Sequence, residues 1–219
     1  MADIEQKPAR LPAELGVLVW PEGAVARRPH LEEGAADGSV RLETLPQGGS
    51  TEHIVGLVAR SRSGYLNAAA RLGPDLRVLG VRAKSVLAPG VERPMMWMRP
   101  AGEEAGFQPG HAVPLLTAGG KRIIPVICYE VLDRPLLARG AAAGGQVIAV
   151  LANDRSIRRS SFAMRHLLGA LILRSVELHL PAVRASMWGP AALVSEQGAI
   201  LALSPPGASR LLTLAALRR

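Results

Sequence analysis

The chain is poor in several residue types, and each shortage narrows the reading. One cysteine, Cys128, stands in 219 residues. An internal disulfide is therefore excluded, and so is a cysteine-rich zinc site. Aromatic residues make up 3%, which leaves few platforms for stacking nucleic-acid bases. The net charge is +8, but the arginines are scattered and form no basic block, so nucleic acid is not an expected partner. Lysine is scarcer still: Lys7, Lys84 and Lys121 are the whole set, and every other basic residue is arginine. In that background a lysine marks a position where arginine would not serve. No run approaches the 18 or so apolar residues of a spanning helix; the richest stretch, LLGALIL at 167–173, is bracketed by Arg165, His166 and Arg174. The start, MADIEQKPARLPAELG, lacks the apolar core of a signal peptide. As written, the chain reads as soluble or peripheral.

What is present is a globular composition, 48% hydrophobic and 20% charged, long enough for one domain with a real core. A single domain over 1–219 is expected, with 1–14 a flexible lead. Short apolar runs at 15–20, 53–61, 64–72, 75–83, 121–130 and 146–153 read as strands, those at 53–61 and 64–72 joined as a hairpin. Pro125 suggests an edge or irregular position for its strand. Residues 133–144 and 160–180 read as helices, the second long and amphipathic. Strands at 181–186, 191–203 (a hairpin turning at Glu196-Gln197-Gly198) and 209–217 close the chain. Between them, 84–110 is a long Pro- and Gly-rich loop, the kind that often carries function.

Reactive side chains collect at three strand ends. Glu22 follows the first strand in LGVLVWPEG, with Pro21 stiffening the exit. Lys84 follows another in GVRAKSVLAPGVERP, with Glu92 eight residues on. Cys128 closes a third in RIIPVICYE, next to Tyr129 and Glu130. A lone cysteine in a strand is ordinarily an inert packer, and a carboxylate or lysine after a strand is ordinarily solvated. A thiol becomes a useful nucleophile only with a base and a cation at hand, and three strand ends here deliver one group each.

These stretches resemble the nitrilase superfamily of carbon-nitrogen hydrolases, with its Glu–Lys–Cys triad. The wording WPE, KSVLAPGVERP and ICYE is most similar to the catalytic domain of the apolipoprotein N-acyltransferase branch. Downstream, LANDRS, LRSVELHLPAVRAS and WGPAALVSEQGAIL continue the likeness, which covers roughly residues 15–203. Departures accompany it. NDRSIRR stands where that branch continues Asn-Asp with Trp-Phe-Gly, Gly90 and Val91 precede Glu92 where it has Phe-Gly, and the strand and helix that open the family's domain have no counterpart before Glu22. A TraB-type, conjugation-associated relative is a further match.

The resemblance implies an α/β fold, the four-layer α-β-β-α sandwich, here lacking its first strand and helix. It implies catalysis by Cys128 as nucleophile, Glu22 as base and Lys84 at the oxyanion, the last joined by the Tyr129 N–H. Glu92 is expected to hold Lys84, and Glu130 to do the same or to cap the turn. Asn153 and Asp154 are expected at the site's rim. No metal or organic cofactor is implied. Two function classes follow: an acyltransferase or amidase working through a thioester, or a truncated binding module that keeps the triad letters. The acyltransferase reading brings an acyl donor such as a phospholipid, an amine acceptor, and a membrane surface or upstream membrane segment on the periplasmic face; a self-contained chain would be cytoplasmic. An uncovered edge at the first strand would favour self-association. Three residue sets carry local alternatives. Arg174 and Glu177 have the spacing of a helical ion pair. His166, eleven residues before Glu177, belongs with them either to a surface network or to a brace near the site. Met95, Met96, Trp97 and Met98 are either core or an apolar contact surface.

Overall fold

The structure, a computed structural model, describes residues 16–46, 49–98, 106–208 and 212. Two sheets face each other. The first holds β1 (Val17–Val25), β2 (Glu52–Ser61), β3 (Gly64–Leu72) and β4 (Val78–Ala83) in that order. β1 runs parallel to β2, and the remaining pairs are antiparallel. The second sheet holds β5 (Leu116–Ala118), β6 (Lys121–Ile127), β7 (Val147–Ala152), β8 (Ala182–Ser186), β9 (Ala192–Val194) and β10 (Ile200–Leu203), ordered β10-β9-β8-β7-β6-β5. Its centre, β6-β7-β8, is parallel, because helices α1 (Arg134–Ala142) and α2 (Ser161–Leu178) make the crossovers. Each helix starts on a side-chain cap: Asp133 accepts from the Leu136 N–H at 2.8 Å, and Ser160 from the Ala163 N–H at 3.1 Å.

Strand composition explains the layering. β7, VIAVLA, is apolar on both faces because both are covered. Ala149 and Leu151 meet Ile54 and Ala69 of the first sheet, whereas Ile148 and Val150 pack with Leu136, Leu137 and Leu171 of the helices. The first sheet's outer face carries no helix among the described residues. Leu31, Leu42 and Leu45, from the irregular segment between β1 and β2, cover it instead. That segment is held by backbone bonds such as Gly34 N–H to Val81 O (2.9 Å) and Val78 N–H to Val40 O (2.8 Å). The two-sheet sandwich expected from the resemblance is therefore present, and β1 has a strand neighbour on one side only among the described residues.

Several expectations need correction. β1 does not stop at Trp20: it continues to Val25 through a bulge, its register slipping between Trp20↔Val55 and Val25↔Leu57. Glu22 sits in that bulge and not beyond the strand. Pro21 is tolerated there because a bulge leaves its nitrogen without a ladder partner to serve. Pro125 is at a local edge, as its residue type suggests, although β6 is not the outermost strand: β5 pairs with β6 only as far as Ile123. Beyond that point β6 has a partner on one side, which removes the penalty for a missing N–H. Cys128 is not the last residue of a strand. It opens a short 3₁₀ helix, Cys128–Leu132, directly after β6. The strand expected at 209–217 and the lead at 1–14 lie outside the described residues, Leu212 excepted.

Candidate active site

Gly56 decides where Glu22 goes. A Cβ built on Gly56 would stand 2.5 Å from the Glu22 Cα and 2.6 Å from the Pro21 carbonyl oxygen, so the bulge can fold over β2 only because that side chain is missing. Gly56→Ala should displace Glu22 and cost about 1–3 kcal/mol through overpacking. Urea unfolding and the acylation assay below measure both effects, and an unchanged rate would mean that the bulge does not set the carboxylate's position.

Lys84 follows β4 and is buried, 1% exposed. Its ammonium lies 2.6 Å from Glu92 Oε2 and 3.7 Å from Glu22 Oε1. Burial works against its charge, but the Glu22 and Glu92 carboxylates outweigh it and hold the pKa above the usual lysine value. Glu92 is fixed in turn by the Ala88 N–H at 2.8 Å. The backbone of Lys84 is pinned on both sides: its N–H donates to the Asn67 carbonyl (2.7 Å), and its carbonyl accepts from Gly110 N–H (2.8 Å).

Cys128 carries a φ of +50°, a left-handed conformation that side chains other than glycine adopt only under constraint. Burial pushes its thiol up to about 12, helped by the Glu22 carboxylate and opposed by Lys84 and the Asn153 backbone N–H. At neutral pH the group is a thiol. The Glu22 carboxylate lies close enough to that thiol for the two to shift each other's titration, and burial raises the Glu22 pKa above the usual value, with Lys84 and Asn67 pulling the other way. The structure thus brings Glu22, Lys84, Glu92 and Cys128 together from three separate stretches.

The remaining predicted residues divide. Tyr129 is half-buried in the 3₁₀ helix beside Cys128. Glu130 does not touch Lys84. It pairs with Arg82 at 2.5 and 2.9 Å and accepts from the N–H groups of Ile127, Ser85 and Val86 at 2.7–3.2 Å. It therefore ties the turn before Cys128 to the loop after Lys84. Asn153 caps a short 3₁₀ turn through the Arg155 N–H. Asp154 is not at a rim: it is fully buried and accepts from Arg184 (2.6 Å) and Ser186 (2.8 Å). Arg174 does pair with Glu177, which also reaches Arg134 at 3.6 Å and so links the two helices at their surface; His166 stacks on exposed Phe162. Met95–Met98 is not core, for Met96 is 75% and Trp97 80% exposed. A concavity of about 470 Å³ lies elsewhere, lined by His30, Glu32 and Asp37 among others, and contains none of the site residues.

Sequence reading passed over Asn67, Arg82 and Glu33. Asn67 donates to Glu22 Oε1 at 2.5 Å and Glu92 Oε1 at 2.6 Å. Glu33 accepts from the N–H groups of Ala83 (3.2 Å) and His111 (2.9 Å), at the strand end that delivers Lys84. Asn67 and Arg82 had a signal: each is a polar residue set among apolar neighbours in a buried strand, GYLNAAARL and VLGVRA. Glu33, in an irregular segment, had none. Among the described residues no cluster of metal-ligating side chains occurs, and no helix is long and apolar enough to cross a membrane.

A family model described as carbon-nitrogen hydrolase matches residues 6–217. An apolipoprotein N-acyltransferase of Geobacter metallireducens is 30% identical over 199 residues, covering 86% of this chain and 37% of that protein. One from Shewanella oneidensis is 26% identical over 208 residues, covering 86% of this chain and 39% of its own length. The chain thus spans well under half of the curated relatives it matches. Among solved structures, an amidase from Nesterenkonia sp. AN1, captured with the acetamide moiety of fluoroacetamide added covalently at its active-site cysteine, superposes with a TM-score of 0.54 at 20% identity (72% of this chain, 59% of that one). A carbon-nitrogen hydrolase from Helicobacter pylori G27 gives 0.58 at 14% identity (71% and 58%). At such identities the likeness is one of fold.

Proposed function

Because the chain belongs to the carbon-nitrogen hydrolase family, we propose that it transfers acyl groups through a thioester on Cys128, with Glu22 as general base and Lys84 at the oxyanion. The observation that carries this is the convergence of a carboxylate from the bulge in β1, a buried ammonium from the end of β4 and a thiol from the turn after β6. The Cys128 thiol, uncharged at rest, gives its proton to Glu22 as sulfur attacks the acyl carbon. The carbonyl oxygen becomes an oxyanion opposite the Lys84 ammonium, a compact charge that arginine's planar fork would not reproduce. The Tyr129 N–H is the second donor in this reading. Collapse expels the leaving group, which takes the proton back from Glu22, and leaves the thioester. An amine or water then attacks, Glu22 takes its proton, and Cys128 leaves and is reprotonated.

The relatives' name, apolipoprotein N-acyltransferase, favours acyl transfer to an amine, and the family resemblance an acyl donor of phospholipid type, the apolar tip Met95–Met98 meeting the acyl chain or a membrane surface. A second reading, hydrolysis of a carbon-nitrogen bond with water as acceptor, is supported by the amidases that share the fold.

Incubation with an activated ester such as p-nitrophenyl butyrate, followed by intact-mass analysis, should show one acyl adduct on Cys128. The acylation rate should rise with pH as Glu22 ionises. Because burial raises its pKa, the midpoint of that rise should lie above the ordinary glutamate value of about 4.3. A pH-independent rate would remove Glu22 as base, and an adduct elsewhere would remove Cys128.

A further inference from the structure

Asn67 belongs to β3 and is 3% exposed, with buried Leu66, Ala68, Ala69 and Ala70 around it in sequence. Its single amide nitrogen donates to one oxygen of each site carboxylate, Glu22 at 2.5 Å and Glu92 at 2.6 Å. Its backbone carbonyl holds the Lys84 N–H at 2.7 Å. We propose that Asn67 is a positioning residue that gives the two carboxylates their separate roles, keeping Glu92 as the partner of Lys84 and Glu22 as an ionisable base facing the thiol. This deepens the acyl-transfer reading and rests on it for the word base.

The argument is one of counting donors. Two buried carboxylates beside one ammonium repel each other and compete for the same charge, and such a pair ordinarily resolves by protonating one member. An amide NH₂ supplies two hydrogen-bond donors without charge, one for each carboxylate. Lys84 can then stay close to Glu92, 2.6 Å away, and stand off from Glu22, 3.7 Å away. A second cation in that place would make Glu22 a poorer base. A carboxylate would add repulsion, and a hydroxyl has one proton for two acceptors. The amide's orientation follows from its neighbours, because the flipped form would turn its oxygen toward two anions. The remaining oxygen, Oδ1, is buried with no hydrogen-bond partner among the described residues. Leaving such an acceptor unmet is unfavourable, and the two charge-assisted bonds on the same group offset it.

The test reads the carboxylates directly. Glutamate side chains labelled with ¹³C at the carboxyl carbon are titrated by NMR in the resting protein, with Glu22→Gln and Glu92→Gln assigning the two signals. Asn67→Ala removes the donor from both. The Glu22 midpoint should move up by about one pH unit, a tenfold loss of ionised base at a given pH, and the acid limb of Cys128 acylation should move with it. Asn67→Ser, which retains one donor and a small volume, should move it less, and it replaces the alanine variant if that one fails to fold. A Glu22 midpoint unchanged in both variants overturns the proposal, as does a slower acylation whose acid limb has not moved, since a merely structural residue would behave in that way. If the wild-type protein forms no Cys128 adduct, the acyl-transfer reading fails while the titration still decides whether Asn67 tunes the two carboxylates.

Discussion

Cys128→Ala abolishes the acyl adduct and lowers ester turnover by roughly three orders of magnitude or more, the scale on which losing a covalent nucleophile is felt. The reason lies in what remains. Without sulfur, Glu22 and Lys84 are still present, and water could in principle be activated by the same carboxylate, but no covalent intermediate splits the reaction into two easier steps. Because Cys128 is the sole cysteine, a thiol reagent has one site to label, and the variant should show none. Far-UV CD and urea unfolding should show that the variant is folded, since Cys128→Ala removes only the sulfur atom and leaves the surrounding hydrogen bonds in place. Residual turnover within tenfold of wild type would sink the thioester mechanism and leave the site as a binding cluster.

Arg82→Met lowers the unfolding free energy by about 3–5 kcal/mol, as removing one partner of a buried ion pair does. The pair is closed to water, with side chains 1% and 0% exposed. Loss of the guanidinium leaves Glu130 with its three backbone donors and no counter-charge. Against a typical total of about 5–15 kcal/mol, that is a large share. Activity should fall as well, because the Glu130 carboxylate joins Ser85 and Val86, after Lys84, to Ile127, before Cys128. Chemical denaturation of Arg82→Met, Glu130→Gln and the double variant forms a cycle whose coupling should exceed about 1 kcal/mol. A loss below 1 kcal/mol for Arg82→Met would mean that water or another cation reaches Glu130.

Much of the architecture was legible because its cause is local. The hairpin of β2 and β3 follows from two apolar runs around Arg62-Ser63, and the closing hairpin from the Gly198 turn. The helices follow from Pro135 near the start of the first, the glycines that close it, and the spacing of apolar residues in the second. Where the reading slipped, a distant neighbour was responsible. Nothing near Pro21 says that β1 resumes beyond it, since the resumption depends on Gly56 of another strand.

The sequence by itself determined the family, the two-sheet class and the short set of reactive groups, because each is written in contiguous residues: WPE, KSVLAPGVERP and ICYE carry them, and the scarcity of lysine and cysteine makes Lys84 and Cys128 stand out. Only the tertiary structure decided who pairs with whom. Glu92 and not Glu22 is the nearer partner of Lys84, Glu130 belongs to Arg82, Asp154 belongs to Arg184, and Asn67 joins Glu22 to Glu92. Those pairings follow from distances across strands tens of residues apart in sequence. Charge–charge and hydrogen-bond energies change within an ångström or two, so they are settled by packing, and packing is not visible until the chain is folded.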